Sequence, residues 1–395
     1  MKVMDKMDSK IDLRIAFFSG TMKPGQDGVT RVLYKLLDYL NQNSIPNIAI
    51  SPVIPQKDDQ PSEMFKVCSV SVPLYRDYRM SIPTDYFLKK MIKQFNPTLF
   101  HIHSPCSLGF AAVKFAKRKS IPVVATYHTH FPSYARYYKI RSLELCGWNY
   151  LRGLYNSCDR VYIPSLPILS ELENHQFRNL EHLPHGVEIE IFNPKYRSLE
   201  WRNKNNPSNK KILLYAGRLV WEKDLKDLID AYRILEAERN DFILMFVGDG
   251  PIRHELEEML PNAIFLGYKC GKELSTVFAS SDVFVFPSTT ETFGNVTLEA
   301  MASGLVPICA DKGGAAGIIK NFQTGLLFKP NAPVDFAEKI RFVLNNSELR
   351  KEISNNAFRY AHSQTWEKIF EKLILSYYKV MEDSKLKKLL VKTAA

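Results

Sequence analysis

The stretch SDVFVFPSTTETFGNVTLEAMASGLVPI, residues 281–308, contains a complete strand–helix–strand unit. Its apolar runs predict a buried strand at Val283–Phe286, a helix at Val296–Ala302 and a second buried strand at Val306–Cys309. Two strands joined through a helix lie parallel in one sheet, and helices cover both faces of such a sheet. This stretch therefore predicts an α/β fold.

The same alternation extends in both directions along the chain. In the first half we predict strands at Leu13–Phe18, Asn47–Ser51, Leu99–His101, Val123–Thr126 and Val161–Ile163, and helices at Val29–Leu40, Leu108–Lys117 and Leu166–Asn174. In the second half we predict further strands at Ile212–Ala216, Phe242–Val247 and Ala263–Leu266, and helices at Leu225–Glu236, Ile252–Leu260, Lys272–Ala279 and Val334–Leu344. The two halves repeat an architecture and not a sequence.

A polar stretch separates the two halves. NPKYRSLEWRNKNNPSNK, residues 193–210, has few apolar residues and is predicted to be a linker. The predicted division is a first domain at 1–192, the linker at 193–210, a second domain at 211–364 and a C-terminal segment at 365–395. In that last segment a helix is predicted at Thr365–Met381, and the tail KLKKLLVK that follows is basic and amphipathic.

Charge and length limit the classes of partner. A chain of 395 residues is long enough for two domains. The net charge is +11, and residues 1–190 carry 24 basic and 17 acidic side chains. This excess could serve an anionic lipid surface, nucleic acid or a phosphorylated ligand, or could simply be a solvated surface. Because the charge is not clustered and no RNA-binding or zinc-finger pattern occurs, we expect no nucleic-acid partner.

The cysteines and the apolar runs indicate the cellular compartment in which the protein is expected. The six cysteines are scattered without a C-x-x-C pair, which favours free thiols in a reducing compartment over a zinc ribbon. No run of about 18 apolar residues predicts a spanning helix. The apolar run Ile15–Phe18 near the N-terminus is too short for a secretion signal. We therefore expect a cytoplasmic protein, with the inner face of the membrane as an alternative place.

Two cations follow the first strand of the second half. In GRLVWEK, Arg218 and Lys223 lie five positions apart on the turn that leads into a helix. Two cations in that position suit a diphosphate, which develops negative charge when it leaves. The alternative is that both form ordinary surface ion pairs with Glu222 or Asp224.

Two glutamates flank a glycine in the opening stretch. Glu291 and Glu299 are eight residues apart, and Gly294 lies where the predicted helix starts, so its free N–H groups could bind a phosphate. A helical rise puts the two carboxyl groups about 12 Å apart. A glycosidase needs them within about 5–9.5 Å. We therefore interpret both glutamates as acceptors of hydroxyl groups, with helix N-terminal acids favoured by the dipole as the alternative.

Two motifs in the first half also follow strands. Gly28, in PGQDGVTRV, opens the first helix and permits close approach to a ligand, although such a loop occurs in many α/β proteins. His128, in ATYHTHFP, follows a strand that ends at the predicted cleft. Asp and Glu are absent from residues 86–143, so a metal site is not expected beside His128.

Together these motifs resemble the retaining, nucleotide-sugar-dependent family 4 glycosyltransferases, which have the GT-B fold. The resemblance covers nearly the whole chain and includes HIHSPCSLGFAA (101–112), TYHTHFP (126–132), LPHGVEIEIFNP (183–194), YAGRLVWEKDL (215–225) and TWEKI (365–369). It is nearest to the group that contains diacylglycerol glucosyltransferases, sulfoquinovosyltransferases and α-mannosyltransferases. It implies two Rossmann-like domains whose parallel sheets face each other across a cleft, with the C-terminal helix crossing back to the first domain.

The resemblance also implies roles for single residues. Arg218 and Lys223 match the cations that hold the donor diphosphate, Glu291 the acid that contacts the donor sugar, Glu299 the acid that binds the ribose, and His128 the histidine near the transferred sugar. The remaining donor-binding positions are Gly28, Phe293, Gly294, Asn295 and Val296. The implied donor is a nucleotide-diphosphate sugar of the GDP-mannose or UDP-glucose type. No cofactor is implied, and no metal is expected, because Arg218, Lys223 and the helix terminus would do its electrostatic work. The implied acceptor is a lipid or a glycan.

Two positions depart from the family pattern. Asp27 stands where many relatives have a second glycine, and Gly317 stands where an acid is common.

Two segments mix cations with aromatic residues, at 86–95 and 131–152. The second is expected to line the acceptor side of the cleft and to contact anionic membrane. The alternatives in function are a GT-B epimerase of sugar nucleotides and a basic binding protein without catalysis.

Overall fold

The computed structural model describes residues 12–24, 28–72, 75–130 and 141–393. Residues 25–27 of the glycine loop, with Asp27, and residues 131–140 of the predicted acceptor segment lie outside the described residues. The described residues form two parallel α/β sheets, and the predicted fold class is confirmed. Elements are numbered along the chain.

The first sheet contains seven parallel strands. They are β1 (Ile15–Phe18), β2 (Asn47–Ser51), β3 (Glu63–Lys66), β6 (Leu99–Ile102), β7 (Val123–Thr126), β8 (Arg160–Ile163) and β9 (Leu180–His182). Their order is β3-β2-β1-β6-β7-β8-β9. Every residue of β1, β2, β6 and β7 is buried, as expected for strands covered on both faces. The helices of this half are α1 (Gly28–Gln42), α2 (Asp85–Phe95), α3 (Ser107–Lys119), α4 (Arg141–Tyr155) and α5 (Leu166–Asn174).

The second sheet contains six parallel strands. They are β10 (Lys211–Ala216), β11 (Phe242–Val247), β12 (Ile264–Phe265), β13 (Val283–Phe286), β14 (Val306–Ala310) and β15 (Leu326–Phe328), in the order β12-β11-β10-β13-β14-β15. The associated helices are α6 (Leu199–Asn205), α7 (Leu225–Glu238), α8 (Arg253–Met259), α9 (Gly271–Ser280), α10 (Asn295–Ala302), α11 (Pro333–Asn345) and α12 (Ser347–Ser363). In both sheets the strand order reverses at the centre, at β1/β6 and at β10/β13. Ligands of open α/β sheets bind at such switch points, beyond the carboxyl ends of the strands.

A small antiparallel hairpin projects from the first half. It pairs β4 (Ser69–Val72) with β5 (Tyr75–Ser81) and was not predicted from the sequence. The hydroxyl of Ser107, at the start of α3, donates to the carbonyl of Ser81 at 2.8 Å. The hairpin is therefore held against the helix that follows β6.

The predicted linker is folded against the second half. It contains a 3-10 turn, Pro194–Tyr196, and helix α6. Arg202 of α6 is 5% exposed and donates to the carbonyl of Ser280 at 2.6 Å and to Asp282 at 3.0 Å. The stretch is polar because its side chains make these bonds, and not because it is a free connection.

The C-terminal helix α13 (Trp366–Thr393) crosses back to the first half. Ile369, Leu373 and Tyr377 share one apolar cluster with Leu33 and Leu37 of α1. The helix continues past the predicted end at 381 and includes the basic tail. Where the chain crosses between halves, Val187 forms a parallel bridge with Thr365, so the two crossings lie side by side.

Candidate active site

The carboxyl ends of the central strands open into one pocket between the halves. The first half contributes residues from the start of α1 and from the segments after β7 and β9, and the second half contributes the segments after β10 and β13. The lining residues are Gly28, Val29, His128, Thr129, His130, His185, Arg218 and residues 290–295. The cavity measures about 290 Å³. It is thus a polar site built by both sheets.

Two cations lie at the second-half side of this pocket. Lys223 ends a 3-10 turn after β10, and its Nζ lies 2.5 Å from Oε1 of Glu291. Asp224 accepts bonds from the backbone N–H and the hydroxyl of Thr289, both at 2.8 Å, and so ties this turn to the loop after β13. Arg218 is exposed and forms no ion pair within the described part of the chain. Its guanidinium is therefore available to an anionic ligand.

The loop after β13 is shaped by close backbone contacts. Gly294 precedes α10 with φ +89°, and a Cβ there would lie 2.9 Å from the side chain of Ala315. The N–H of Gly314 donates to the carbonyl of Glu291 at 2.7 Å, and a Cβ on Gly314 would lie 2.1 Å from the carbonyl carbon of Thr292. Helix α10 has no acid in its first turn and no side-chain cap. The positive end of its dipole is directed to the same pocket, which suits an anion.

The two halves touch around the pocket. The hydroxyl of Thr292 donates to the carbonyl of His128 at 2.8 Å, and the hydroxyl of Ser165 donates to the carbonyl of Thr292 at 2.7 Å. A Cβ on Gly317 would lie 2.7 Å from Pro167 at the start of α5. The departure of Gly317 from the family pattern thus falls at a contact between halves, where this arrangement has no room for an acidic side chain.

Glu299 is held by a cation from the opposite half. It lies on α10, is 4% exposed, and its Oε1 accepts a bond from Arg31 of α1 at 2.7 Å. Arg31 also lies 3.4 Å from Glu188, which pairs with Lys35 on the next turn of α1. Burial raises the pKa of Glu299 although Arg31 acts to lower it, and Glu299 raises the pKa of Arg31. Arg31 was not identified from the sequence.

Buried histidines line the first-half side. His128 is 9% exposed, and its Nε2 lies 2.9 Å from Nδ1 of His103, which follows β6. His185, after β9, has Nδ1 2.9 Å from Oδ1 of Asn295 at the start of α10. Burial lowers the pKa of His103 and His128 well below the usual value, and lowers that of His185 to about 4. These rings are therefore neutral at physiological pH.

The structure brings most of the predicted residues together. Seven of them line the pocket, namely Gly28, His128, Arg218, Glu291, Phe293, Gly294 and Asn295. Lys223 joins through its pair with Glu291, whereas Val296 and Glu299 are not among the described residues that line it. Sequence reasoning did not select His130 or His185. His185 follows strand β9, and a position after a strand is the signal that could have identified it. That signal was missed because β9 was not predicted from the sequence.

A second cavity of about 150 Å³ adjoins the first and lies within the first half. Its walls come from the segments after β1 and β6, from the start of α1 and from the hairpin, and it shares Val29 and Thr129 with the first pocket. Arg79 of β5 lines it, and its guanidinium donates to Ser69 and Ser71, which are neutral. This cavity lies beside the first pocket.

The described residues show neither a metal-binding cluster nor a membrane-spanning helix. No cluster of three or more His, Cys, Asp or Glu side chains is placed to hold a metal ion. Among the helices described, none combines the length and apolar character needed to cross a membrane.

Comparison with known proteins covers both halves. Residues 26–191 match the family Glycosyltransferase Family 4, and residues 198–360 match the family Glycosyl transferases group 1. A GDP-mannose-dependent alpha-mannosyltransferase of Corynebacterium glutamicum is 31% identical over 379 residues, which cover 93% of this chain and 89% of that protein. A sulfoquinovosyl transferase of Arabidopsis thaliana is 35% identical over 308 residues, covering 75% of this chain and 60% of that protein.

The fold comparison agrees. A sucrose-phosphate synthase from Thermosynechococcus elongatus superposes with a TM-score of 0.77 at 19% identity, over 94% of this chain and 100% of that one. The identity is low, so this likeness concerns the fold alone. With matches to family models on both halves and a 31% identical relative along nearly its full length, the chain belongs to the family 4 glycosyltransferases and has their GT-B fold.

Proposed function

We propose that this protein is a retaining, metal-independent hexosyltransferase that moves a sugar from a nucleotide-diphosphate sugar to a lipid or glycan acceptor. The observation that carries the proposal is the placement of Arg218, the Lys223–Glu291 pair and the start of α10 around one pocket between the sheets. Arg218, Lys223 and the start of α10 supply positive charge where a nucleoside diphosphate would leave, and Glu291 offsets part of it. The name of the Corynebacterium glutamicum relative supports a donor of the GDP-mannose type. The family resemblance is equally compatible with a donor of the UDP-glucose type.

Each part of the donor has a candidate partner. Arg218, Lys223 and the N–H groups at the start of α10 bind the diphosphate, and the loop residues 293–296 lie along it. Glu291, fixed by Lys223, accepts bonds from hydroxyl groups of the sugar, and His128 reaches the sugar from the first half. Glu299 accepts from the ribose through Oε2, since Arg31 contacts Oε1. Gly28 allows the start of α1 to approach the diphosphate.

The charges around the pocket support two parts of the proposal, namely that transfer needs no metal ion and that it retains the configuration at the anomeric carbon. Two side-chain cations and a helix N-terminus can offset the charge that a diphosphate develops, which a divalent ion does in other transferases. Glu291 is the one carboxylate among the described lining residues, and Lys223 engages it. A carboxylate so held is a poor general base for attack from the opposite face of the sugar. Catalysis would then depend on positioning and on stabilising the leaving group.

The surface beside the second cavity supports a lipid acceptor. Large apolar side chains are exposed on and just after the hairpin and on α2, α3 and α4, namely Met80, Ile82, Tyr86, Phe110, Leu145 and Tyr150. Phe110 stacks on Tyr150, whose hydroxyl donates to the carbonyl of Pro105 at the cavity wall. Lys89 and Lys90 are exposed on α2 nearby in the chain. Each cation near an anionic lipid surface adds about 1 kcal/mol, which salt screens.

The test offers UDP-glucose and GDP-mannose with three acceptors: diacylglycerol vesicles, phosphatidylinositol vesicles and a soluble methyl glycoside. We expect release of the nucleoside diphosphate that depends on an acceptor and persists in EDTA, with an α-linked product by NMR. Release of a free epimerised sugar would support the epimerase instead. Flotation with anionic vesicles at low and high salt tests the membrane part. Transfer to the soluble acceptor without vesicle binding at low salt would contradict it.

A further inference from the structure

His103 lies behind the pocket and contacts His128 directly. It follows β6, is 3% exposed, and its Nδ1 lies 2.9 Å from Nε2 of His128, with the two rings stacked at 21°. Its other nitrogen, Nε2, is buried and has no partner in the described residues. Of the two ring nitrogens of His128, Nε2 is thus occupied by His103, and Nδ1 is the one left for a ligand.

A neutral imidazole carries one N–H, so the bond between the two rings fixes both tautomers. Burial holds the pKa of both rings well below the usual value, so neither carries a second proton. In one arrangement the Nδ1–H of His103 donates to Nε2 of His128, so that His128 carries its own hydrogen on Nδ1. In the other, Nε2–H of His128 donates, Nδ1 of His128 is bare, and His103 carries its hydrogen on Nε2.

The buried Nε2 of His103 decides between these arrangements. The second arrangement leaves an N–H donor buried without an acceptor, and such donors are rarer in proteins than acceptors that lack a donor. The first arrangement leaves only a lone pair without a donor at Nε2 of His103. His101, the neighbouring histidine of β6, offers no alternative acceptor, because its nitrogens bind Tyr377 and Thr126, both at 2.7 Å. The first arrangement is therefore favoured.

We propose that His103 is a positioning residue that fixes the tautomer of His128, so that His128 presents Nδ1–H to the pocket as a hydrogen-bond donor to an oxygen of the transferred sugar. The choice of sugar as the recipient rests on the proposed function. The tautomer itself is inferred from the bond between the two rings and from the buried Nε2 of His103. His128 then acts without gaining or losing a proton, as a neutral and oriented donor.

The tautomer is measured by ¹H–¹⁵N correlation spectra of protein labelled with ¹⁵N-histidine, with His128 assigned through His128→Gln. We expect Nδ1–H on His128 in the wild type and a shift to Nε2–H or a mixture in His103→Leu. A wild-type spectrum with Nε2–H on His128 would overturn the proposal. This result is obtained even if neither UDP-glucose nor GDP-mannose is turned over, in which case the proposed function fails separately.

Kinetics separate positioning from simple support of the fold. For whichever of UDP-glucose and GDP-mannose is the better donor, His103→Leu should lower kcat about tenfold, the scale of one hydrogen bond, with UDP or GDP affinity unchanged. His103→Asn places an amide N–H at the position of Nδ1 and should restore most of kcat. His101→Leu is the control, because it removes a buried histidine of β6 whose ring nitrogens bond to Tyr377 and Thr126 and not to His128. Equal losses in His103→Leu and His101→Leu, without rescue by asparagine, would show a structural role only.

Discussion

The ion pair of Arg31 with Glu299 should contribute to stability in a way that depends on pH. Glu299 is almost fully buried, and Arg31 reaches it from the other half at 2.7 Å. The change Arg31→Leu would leave a buried carboxylate without this partner. Loss of one partner of a fully buried pair costs about 3–5 kcal/mol, but the Arg31 side chain is 47% exposed. Allowing for solvent screening, we expect a loss of about 1–3 kcal/mol at neutral pH.

The sign of the pH dependence follows from the carboxyl group. Burial raises the pKa of Glu299 and Arg31 opposes this, so Arg31→Leu should raise that pKa further above its value in the unfolded chain. When the native state holds a proton more tightly than the unfolded chain, stability falls as pH rises through the native pKa. The loss caused by Arg31→Leu should therefore be small in acid, where Glu299 is protonated in both states, and largest at alkaline pH.

Urea unfolding at about pH 5 and about pH 8 measures this difference. Arg118→Leu is the matched control, because Arg118 and Asp85 also lie 2.7 Å apart but both are about half exposed. The control should change the midpoint little at either pH, since exposed pairs contribute little. Adding Glu299→Gln to Arg31→Leu should recover part of the loss by removing the buried charge. If Arg31→Leu is no more destabilising than Arg118→Leu, or its effect is the same at both pH values, the reasoning is refuted.

Three further predictions concern the donor site. Arg218→Ala and Lys223→Ala should each lower turnover at least about 100-fold without loss of folding, the effect expected when one preorganised charge partner is lost. If a variant keeps near-wild-type rates at saturating donor, that residue does not bind the phosphate. Glu291→Gln should lower transfer while UDP or GDP still binds, whereas Glu299→Ala should weaken nucleotide binding itself; calorimetry with the opposite pattern would exchange the two roles. Gly314→Ala should lower the free energy of unfolding by about 1–3 kcal/mol, because its Cβ would lie 2.1 Å from a backbone carbonyl carbon; an unchanged urea midpoint would show that the loop can move aside.

Most of the buried strands could be predicted from the sequence, whereas several edge strands and the helices α4 and α12 were not predicted. The strands at 47–51, 123–126, 242–247 and 283–286 have the predicted bounds, because each is a compact apolar run between turn residues. The edge strands β3 and β15 were missed, since each has only three or four residues and one neighbour in its sheet. Helix α12 was missed because its buried face consists of only Ile353, Ala357 and Ala361, which gives a weak periodic signal.

The amino-acid sequence by itself determined the α/β alternation and which chemical groups follow the strand ends, because apolar periodicity and strand-to-helix loops are local properties. The tertiary structure decided which of these groups act together. Lys223 pairs with Glu291, 68 positions away, and not simply with the acids beside it in the chain. Arg31 reaches Glu299 across 268 positions, and His103 meets His128 across 25. These contacts depend on the order of strands in each sheet and on the closure of one half against the other, and neither is encoded in the spacing of residues along the chain.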